Sequence, residues 1–460
     1  MMPSPGLDPP VSELIGELGE SIVLTDPASM EAYRRDFTAD DSAGMPLAVV
    51  RPRRADQVQA TMRWATRHGI PVVPRGAGSG LSGGSLAVQG AITLSLEGMR
   101  TIEIDVPTRT ATVQPGALNA EVKAAAAGHG LWYPPDPSSF EICSIGGNIA
   151  TNAGGLCCVK YGVTTDYVLG MDVVLADGTL ITLGGRQIKD VAGLSLLKLF
   201  VGNEGTLGII TRAILRLVPV PAPASTLAAF FPTVADAAAA VIDIGAALRP
   251  SLLELMDGPS INAVEDYRPM GLDRSAGALL LAQSDAPGAA CAAEMDLMAT
   301  ACRRHNATEV VLTDDPGEGE LFLAARRAGL HAIERLGSIL LEDVGVPVPR
   351  LPELLAGIEE ISARVGLAIP VVAHAGDGNT HPNIVYDAAA PGAKDVAYAA
   401  FEEIMALAID LGGTITGEHG VGRLKKSALP AQLGPEVMAL TRTIKSALDP
   451  DGLLNPGAIL

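Results

Sequence analysis

Two short segments hold the residue types with the most chemical potential. VVAHAGDGNTHPNIVY (371–386) places His374 and His381 on either side of Asp377-Gly378, a favoured two-residue hairpin turn. A turn there pairs 376 with 379, 375 with 380 and 374 with 381. The two imidazoles then stand directly opposite one another on one face, about 5 Å apart. At that spacing they either share a metal ion or are satisfied strand histidines. Asn383, two residues beyond His381, points to the same face. The second segment is TITGEHGVG (414–422). In an extended chain Glu418 and His419 project to opposite sides, so one can ligate a metal while the other serves a different role. Two histidines and one carboxylate with open positions suit Zn²⁺ first, with Mn or Fe next, holding a substrate. The alternative for Glu418 is a capping or ion-paired carboxylate.

Two glycine-rich blocks lie upstream. PVVPRGAGSGLSGG (71–84) follows a strand, and its glycines let backbone N–H groups approach an anion closely. It is not the dinucleotide fingerprint GxGxxG, because counting from Gly76 the third glycine position is Leu81. PPDPSSFEICSIGGNIATNAGGLCCVKYG (134–162) sets Ser138, Ser139, Ser144, Asn148, Thr151 and Asn152 among close glycines. Too poor in apolar groups to build a core, it suits wrapping a large polar ligand.

The elements that must position these residues alternate between α and β in the first half. LAVVR (47–51), IPVVP and AITLSL read as strands, and ADQVQATMRWATRHG as a helix capped by Gly69. RTIEIDVPTRTATVQP reads as a hairpin turning at Pro107-Thr108, and MDVVLADGTLITL as one turning at Asp177-Gly178. ALNAEVKAAAAGHG reads as a helix. A proline run in LRLVPVPAPAST (215–226) marks a boundary. Helical spacing follows in 234–248 and 352–365, with strands ALLLAQ and LLEDVGV between, and a helical tail follows residue 400. These patterns predict a domain over 1–222, a second α+β domain with an antiparallel sheet over 223–404, and a C-terminal segment, 405–460, that completes the site.

At 460 residues, 48 % apolar and 18 % charged, the chain has material for two or three cores. Its net charge of −19 opposes nucleic acid as a partner. The same charge repels an anionic substrate, so an acid needs a local cation. Arg326, in the helical stretch LFLAARRAGLHAI, is either that cation or a solvated helix arginine. Mean hydropathy is +0.29, yet every apolar stretch is broken before about 18 residues, so no transmembrane helix is expected. The N-terminal stretch lacks the basic and apolar regions of a secretory signal. Cys143, Cys157, Cys158, Cys291 and Cys302 show no metal spacing and read as buried thiols of a cytoplasmic protein.

The first glycine block resembles the pyrophosphate loop of the vanillyl-alcohol oxidase type of FAD-binding domain, and the second its FAD-cradling loop. VGNEGTLGIITRAILRLVP (201–219) resembles the strand that closes that fold. Within this superfamily the chain is similar, from about residue 45 to its C-terminus, to a branch of FAD-linked hydroxy-acid enzymes. That branch contains the glycolate oxidase catalytic subunit, D-lactate dehydrogenase and D-2-hydroxyglutarate dehydrogenase. The resemblance implies an α+β fold with a two-part FAD-binding domain and a cap. It implies that Arg75, Gly76, Ala77, Gly78, Ser79 and Gly80 hold the pyrophosphate. Asp136, Pro137, Ser138, Ser144, Gly147, Asn148, Asn152, Gly154 and Tyr161 would line the cofactor, with Asn455 nearby. His374, His381 and Glu418 would bind the metal, His419 would be the base, and Asn383 would meet the substrate. It favours Arg326 over Arg327 as the carboxylate cation.

Some relatives attach flavin covalently through a histidine in the first loop; none stands at 75–79, so non-covalent FAD is expected. Where the hydroxyglutarate enzymes offer a lysine for a second carboxylate, this chain has Leu341, which favours a monocarboxylate such as glycolate or D-lactate. D-2-hydroxyglutarate is the alternative substrate. A metal-dependent hydrolase would leave the glycine blocks without a role, and a non-catalytic flavoprotein subunit would not need the intact histidine motifs. The electron acceptor is not written in the residues: a quinone, an electron-transfer flavoprotein or a partner subunit would each leave this chain unchanged, and a membrane-bound acceptor would bring a cytoplasmic chain to the membrane periphery. A homodimer is compatible with everything above.

Overall fold

The computed structural model describes residues 9–38 and 42–460. The apolar runs Ala48–Val50, Ile92–Ser95 and Val72–Arg75 lie parallel in that spatial order, with Val23–Leu24 antiparallel at the outer edge. Parallel neighbours need a long crossover. The helix Ala55–His68 supplies one, burying Val58, Met62, Trp64 and Ala65 in the core of this sheet. Gly69 ends it at φ +62°, a left-handed turn that glycine adopts without strain.

Both expected hairpins of the first half form, with Asp105 opposite Thr110 and Val174 opposite Leu180. They contribute to a five-stranded antiparallel sheet with Ile209–Arg216 at its centre. That strand pairs with Thr110–Val113 on one side and Val168–Val174 on the other. A separate apolar core forms behind it with the helices Asn119–Ala127 and Ile145–Thr151. The first half therefore has two parts, each with its own sheet and core.

Residues from Ser225 onward build an eight-stranded antiparallel sheet. Its strands read as unbroken apolar runs because both faces are covered. Leu227, Ala229 and Phe231 enter one core, beneath the helices Val234–Ala247, Ala289–Arg304, Leu351–Val365 and Ala393–Asp410. Ala228 and Phe230 enter the other, beneath Gly258–Tyr267 and Pro316–Glu334. This parity decides where the polar residues of the same strands point. Leu253, Leu255, Ala373, Leu340, Ile384 and Tyr386 all belong to the first core. Their neighbours Glu254, His374, Leu341, His381 and Asn383 consequently face the second, under the helix that carries Arg326. An apolar side chain buried there is worth about 1.5–3 kcal/mol. A charged one is costly unless it finds a partner, so these polar residues must meet each other.

The helix Ala393–Asp410 runs through the boundary expected at 404, because its apolar stripe continues through Ile404, Met405 and Ala408. The segment beyond it touches all three parts of the molecule. The helix Leu429–Leu448, kinked at Gly434, packs Met438 on the cap core and Leu448 on that of the five-stranded sheet. Leu454 then bridges in parallel to Val72 in the first sheet.

Candidate active site

The Val371–His374 and Asn379–Tyr386 strands form the expected hairpin in a different register. Gly378 N–H donates to the His374 carbonyl at 3.1 Å, so the chain turns through four residues, 375–378, rather than two. His374 therefore pairs with Asn379, and His381 with Val372. The two histidines stay on one face as diagonal neighbours, with ring centroids 5.0 Å apart and edge to face. The altered register moves the partners without separating the imidazoles.

The Glu418–His419 segment also departs from expectation. It is not extended, because one carboxylate curls it. Oδ2 of the fully buried Asp343 accepts from Thr416 Oγ1 at 2.7 Å and from the backbone N–H groups of Gly417, Glu418 and His419 at 2.9, 3.0 and 2.8 Å. The curl turns both side chains toward His381 instead of to opposite sides. Glu418 Oε1 lies 3.3 Å from His374 Nε2, 3.3 Å from His381 Nε2 and 3.8 Å from His419 Nε2. The His419 ring stacks on His381 at 5.0 Å. Beyond the curl, Glu204 from the first half accepts from Val421 and Gly422 N–H at 2.7 and 2.8 Å. Burial pushes the Glu204 carboxyl up to about 7, against those two bonds.

Beneath Asp343 an ion pair locks the loop. Lys425, 1 % exposed, places Nζ 2.7 Å from Glu342 Oε2 and donates to the carbonyls of Asp343 and Ile415. Burial raises the Glu342 carboxyl to about 7 even with Lys425 beside it. Asp343 goes the other way: burial opposes its charge, but His419, Lys425 and His381 outweigh that and hold it well below the carboxylate range.

His374, His381 and Glu418 offer donor atoms within 4.8 Å of one another. Tetrahedral bonds of about 2.0–2.1 Å leave donors roughly 3.3 Å apart, which matches the separation of Glu418 Oε1 from each imidazole. His374 Nδ1 meets Glu254 Oε1 at 2.8 Å. A carboxylate there fixes the tautomer whose Nε2 lone pair faces an ion. Burial disfavours charge on His374, but Glu254 and Glu418 outweigh it and raise its pKa well above the usual histidine value. Burial likewise opposes the Glu418 carboxylate, and His374 and His381 more than compensate. His419 is different: burial lowers its pKa to about 4, with Asp343 only partly offsetting this, so its imidazole is neutral at pH 7.

Of the two adjacent arginines, Arg326 points inward at 5 % exposure, whereas Arg327 is exposed and paired with Glu320. Arg326 Nε sits 2.9 Å from Glu254 Oε2, while its Nη2 has no hydrogen-bond partner. Glu254 thus spans the metal-ligand candidate His374 and the arginine.

A cavity of about 1230 Å³ joins this cluster to the glycine blocks. Its wall includes Arg75 to Gly80, Pro137, Ser138, Ser144, Gly147 and Asn148 at one end, and Arg326, Leu341, His381, Asn383, Glu418 and His419 at the other. The glycines permit this. A Cβ on Gly76 would lie 2.4 Å from Ser144 Oγ, and one on Gly78, at φ +75°, 2.0 Å from the Arg75 guanidinium. Thr38 Oγ1, Ser82 Oγ, Asn383 Oδ1 and Arg326 Nη2 are buried on this wall without partners, as a large polar ligand requires.

Five residues expected at the cofactor do not line the cavity. Asp136 accepts from Cys157 N–H, and Asn152 from Thr165 N–H. Tyr161 bonds Asp285. Gly154 packs on Glu418, where a Cβ would come within 2.6 Å of its oxygen. Asn455 donates to the carbonyls of Gly84 and Glu204 and braces the loop from behind. Glu254, Asp343, Glu342, Lys425 and Glu204 were not anticipated. The available signal was a carboxylate inside an apolar strand run, in LLELMD and LLEDVGV, where charge survives only with a partner.

Residues 46–184 match the family model described as an FAD binding domain, and 220–459 that of FAD linked oxidases, C-terminal domain. The chain is 43 % identical over 416 residues to glycolate oxidase subunit GlcD of Bacillus subtilis strain 168, spanning 90 % of this chain and 88 % of that protein. It is 34 % identical over 453 residues to D-lactate dehydrogenase of Archaeoglobus fulgidus, spanning 97 % and 99 %. With D-2-hydroxyglutarate dehydrogenase of Xanthomonas citri pv. viticola it shares 33 % identity over 463 residues, spanning 98 % and 97 %. Among solved structures, p-cresol methylhydroxylase with bound substrate aligns at a TM-score of 0.82 with 18 % identity, covering 97 % of this chain and 95 % of that one. The last likeness concerns the fold.

Removing Asp343 should release the loop. Asp343→Ala leaves three backbone N–H donors unpaired around a buried cluster, a change that costs about 3–5 kcal/mol. The expected result is a lower denaturant midpoint together with new proteolytic cleavage near 416–422. A midpoint like that of the parent would mean the loop is held by something else.

Proposed function

This chain belongs to the FAD-linked oxidase family, and from that premise we propose that it oxidises a small D-2-hydroxy monocarboxylate to the 2-keto acid with the help of a divalent ion. The observation that carries the reading is the single cavity running from the Gly76–Gly80 loop to Arg326, Asn383, Glu418 and His419. It provides for a long polar cofactor at one end and a small acid at the other. With no histidine in the Arg75–Ser79 loop, the flavin is held without a covalent bond.

Arg326 grips the substrate carboxylate through guanidinium N–H groups that reach the cavity. It is the local cation that a chain of net charge −19 needs to admit an acid. Asn383 presents Oδ1 as an acceptor because its Nδ2 is already committed to the Pro370 and His381 carbonyls. His374, His381 and Glu418 would hold the ion. When bound, the ion eases loss of the hydroxyl proton and FAD accepts the hydride from the same carbon. His419 takes the hydroxyl proton at Nε2, which lies 3.8 Å from Glu418 Oε1. Leu341, paired with Asn383 in the sheet, offers methyl groups where a second carboxylate would need a cation. The electrons would go to an acceptor outside this chain, a quinone, an electron-transfer flavoprotein or another subunit.

The deciding experiment is anaerobic mixing with D- and L-2-hydroxy acids. Flavin bleaching is expected with glycolate or D-lactate. Preference for D-2-hydroxyglutarate in kcat/KM would reject the monocarboxylate. Acid precipitation should release the flavin into the supernatant; yellow colour kept in the pellet would contradict the non-covalent assignment. His419→Ala should lower kcat by about 10²–10⁴-fold with FAD and metal content unchanged, whereas His374→Ala should lose the metal. Retained turnover in the first variant, or metal loss from it, would reassign these roles.

A further inference from the structure

The three candidate metal ligands are shared between two cavities. The large one touches His381 and Glu418 but not His374. A second, of about 500 Å³, touches His374 and Glu418 but not His381. Behind the ligands it is walled by Gly154, Cys158, Val163 and Asn379. At its outer end Pro347, Asp377, Gly412 and Gly417 are exposed, so this cavity opens to solvent. The donor cluster is a partition, reached from one side through the cofactor cavity and from the other through this rear opening.

Two features of the rear cavity fit a cation. Asp377 stands exposed at the rim, and Glu418 lies at the floor. Between them Asn379, 9 % exposed, carries a side-chain oxygen with no hydrogen-bond partner. Gly417 leaves room for its amide, since a Cβ there would lie 2.4–2.5 Å from it. Asn379 is also the cross-strand partner of His374. A carboxylate, then an unpaired amide oxygen, then the ligands make a descending series of oxygen donors for a partly hydrated ion.

We propose that the rear cavity is the entry and exit route for the metal ion, with Asn379 Oδ1 as an intermediate contact. The proposal rests on the metal assignment above. Bound FAD would narrow the front cavity to the passage the substrate uses, whereas the rear cavity reaches His374 and Glu418 from the side away from the glycine loop. A rear route lets the ion load onto, or leave, a protein that keeps its flavin.

The test uses full-length protein with FAD bound and metal removed by chelation, and follows uptake of radioactive zinc by rapid filtration. Asp377→Asn retains the turn acceptor for Asn379 N–H but removes the rim charge, and Val163→Trp fills the passage. Each is expected to slow zinc uptake by about tenfold or more while zinc content at equilibrium and FAD content match the parent. Val163→Ala should load at the parent rate. If both Asp377→Asn and Val163→Trp load as fast as the parent, the ion enters elsewhere and the route is wrong. Slow loading of Val163→Trp that becomes fast when FAD is removed supports the route, because it shows the front path opening. A parent protein that holds no zinc at equilibrium refutes the metal assignment itself, a result the time courses separate from a misplaced route.

Discussion

One carboxylate oxygen orders the candidate active site of this molecule. Asp343 Oδ2 gathers three successive backbone N–H groups and a threonine hydroxyl. No regular helix or strand would present Glu418 and His419 to the same point, so their convergence depends on this acceptor. An ionised oxygen makes such bonds roughly twice as strong as a neutral acceptor does, and the Asp343 carboxyl is held well below the usual carboxylate range despite its burial. Lys425 pairs with the neighbouring Glu342, so the two adjacent carboxylates do not share the interior without a cation.

The loop has a second anchor of different origin. Asp343 belongs to the cap, whereas Glu204 reaches the same loop from the flavin-binding half. Held from both sides, residues 416–422 set the cap against the glycine blocks, and the cavity spans that junction. Glu204 has a positive φ of 49° and a carboxyl raised to about 7, so this contact is made at a backbone and electrostatic cost. A strained, buried acid at an interface that positions a site is in keeping with function taking precedence over stability there.

The cap sheet supplies the rest through parity. With both faces covered, each strand sends alternate residues to a core and the remainder to the site face. Glu254 lies on one strand and His374, His381 and Asn383 on the two arms of a distant hairpin, yet they share one face. Glu254 ties two of the functional groups together, holding His374 by one oxygen and Arg326 by the other. Glu254, His374 and Arg326 pair with one another, while Asn383 is held by the backbone carbonyls of Pro370 and His381.

Much of this was legible in the residues themselves. The glycine blocks, the helix capped at Gly69, both early hairpins and the histidine motifs depend on local preferences: turn chemistry, apolar period, and the freedom of glycine. Those are properties of a few neighbouring residues, so the sequence alone determined them and, with them, a flavin-linked chain with paired histidines. Residues acting between distant segments could not be read this way. The hairpin register followed from a four-residue turn that pairs Val346 N–H with the Gly378 carbonyl. The curl at Glu418–His419 came from an aspartate 75 residues away. Whether Arg326 was solvated or buried depended on which face of its helix met the sheet. A carboxylate in an apolar strand announces that a partner must exist, because burying it alone is too costly. Which partner it finds is settled only when the chain has packed, since burial and Coulomb pairing are properties of the assembled interior.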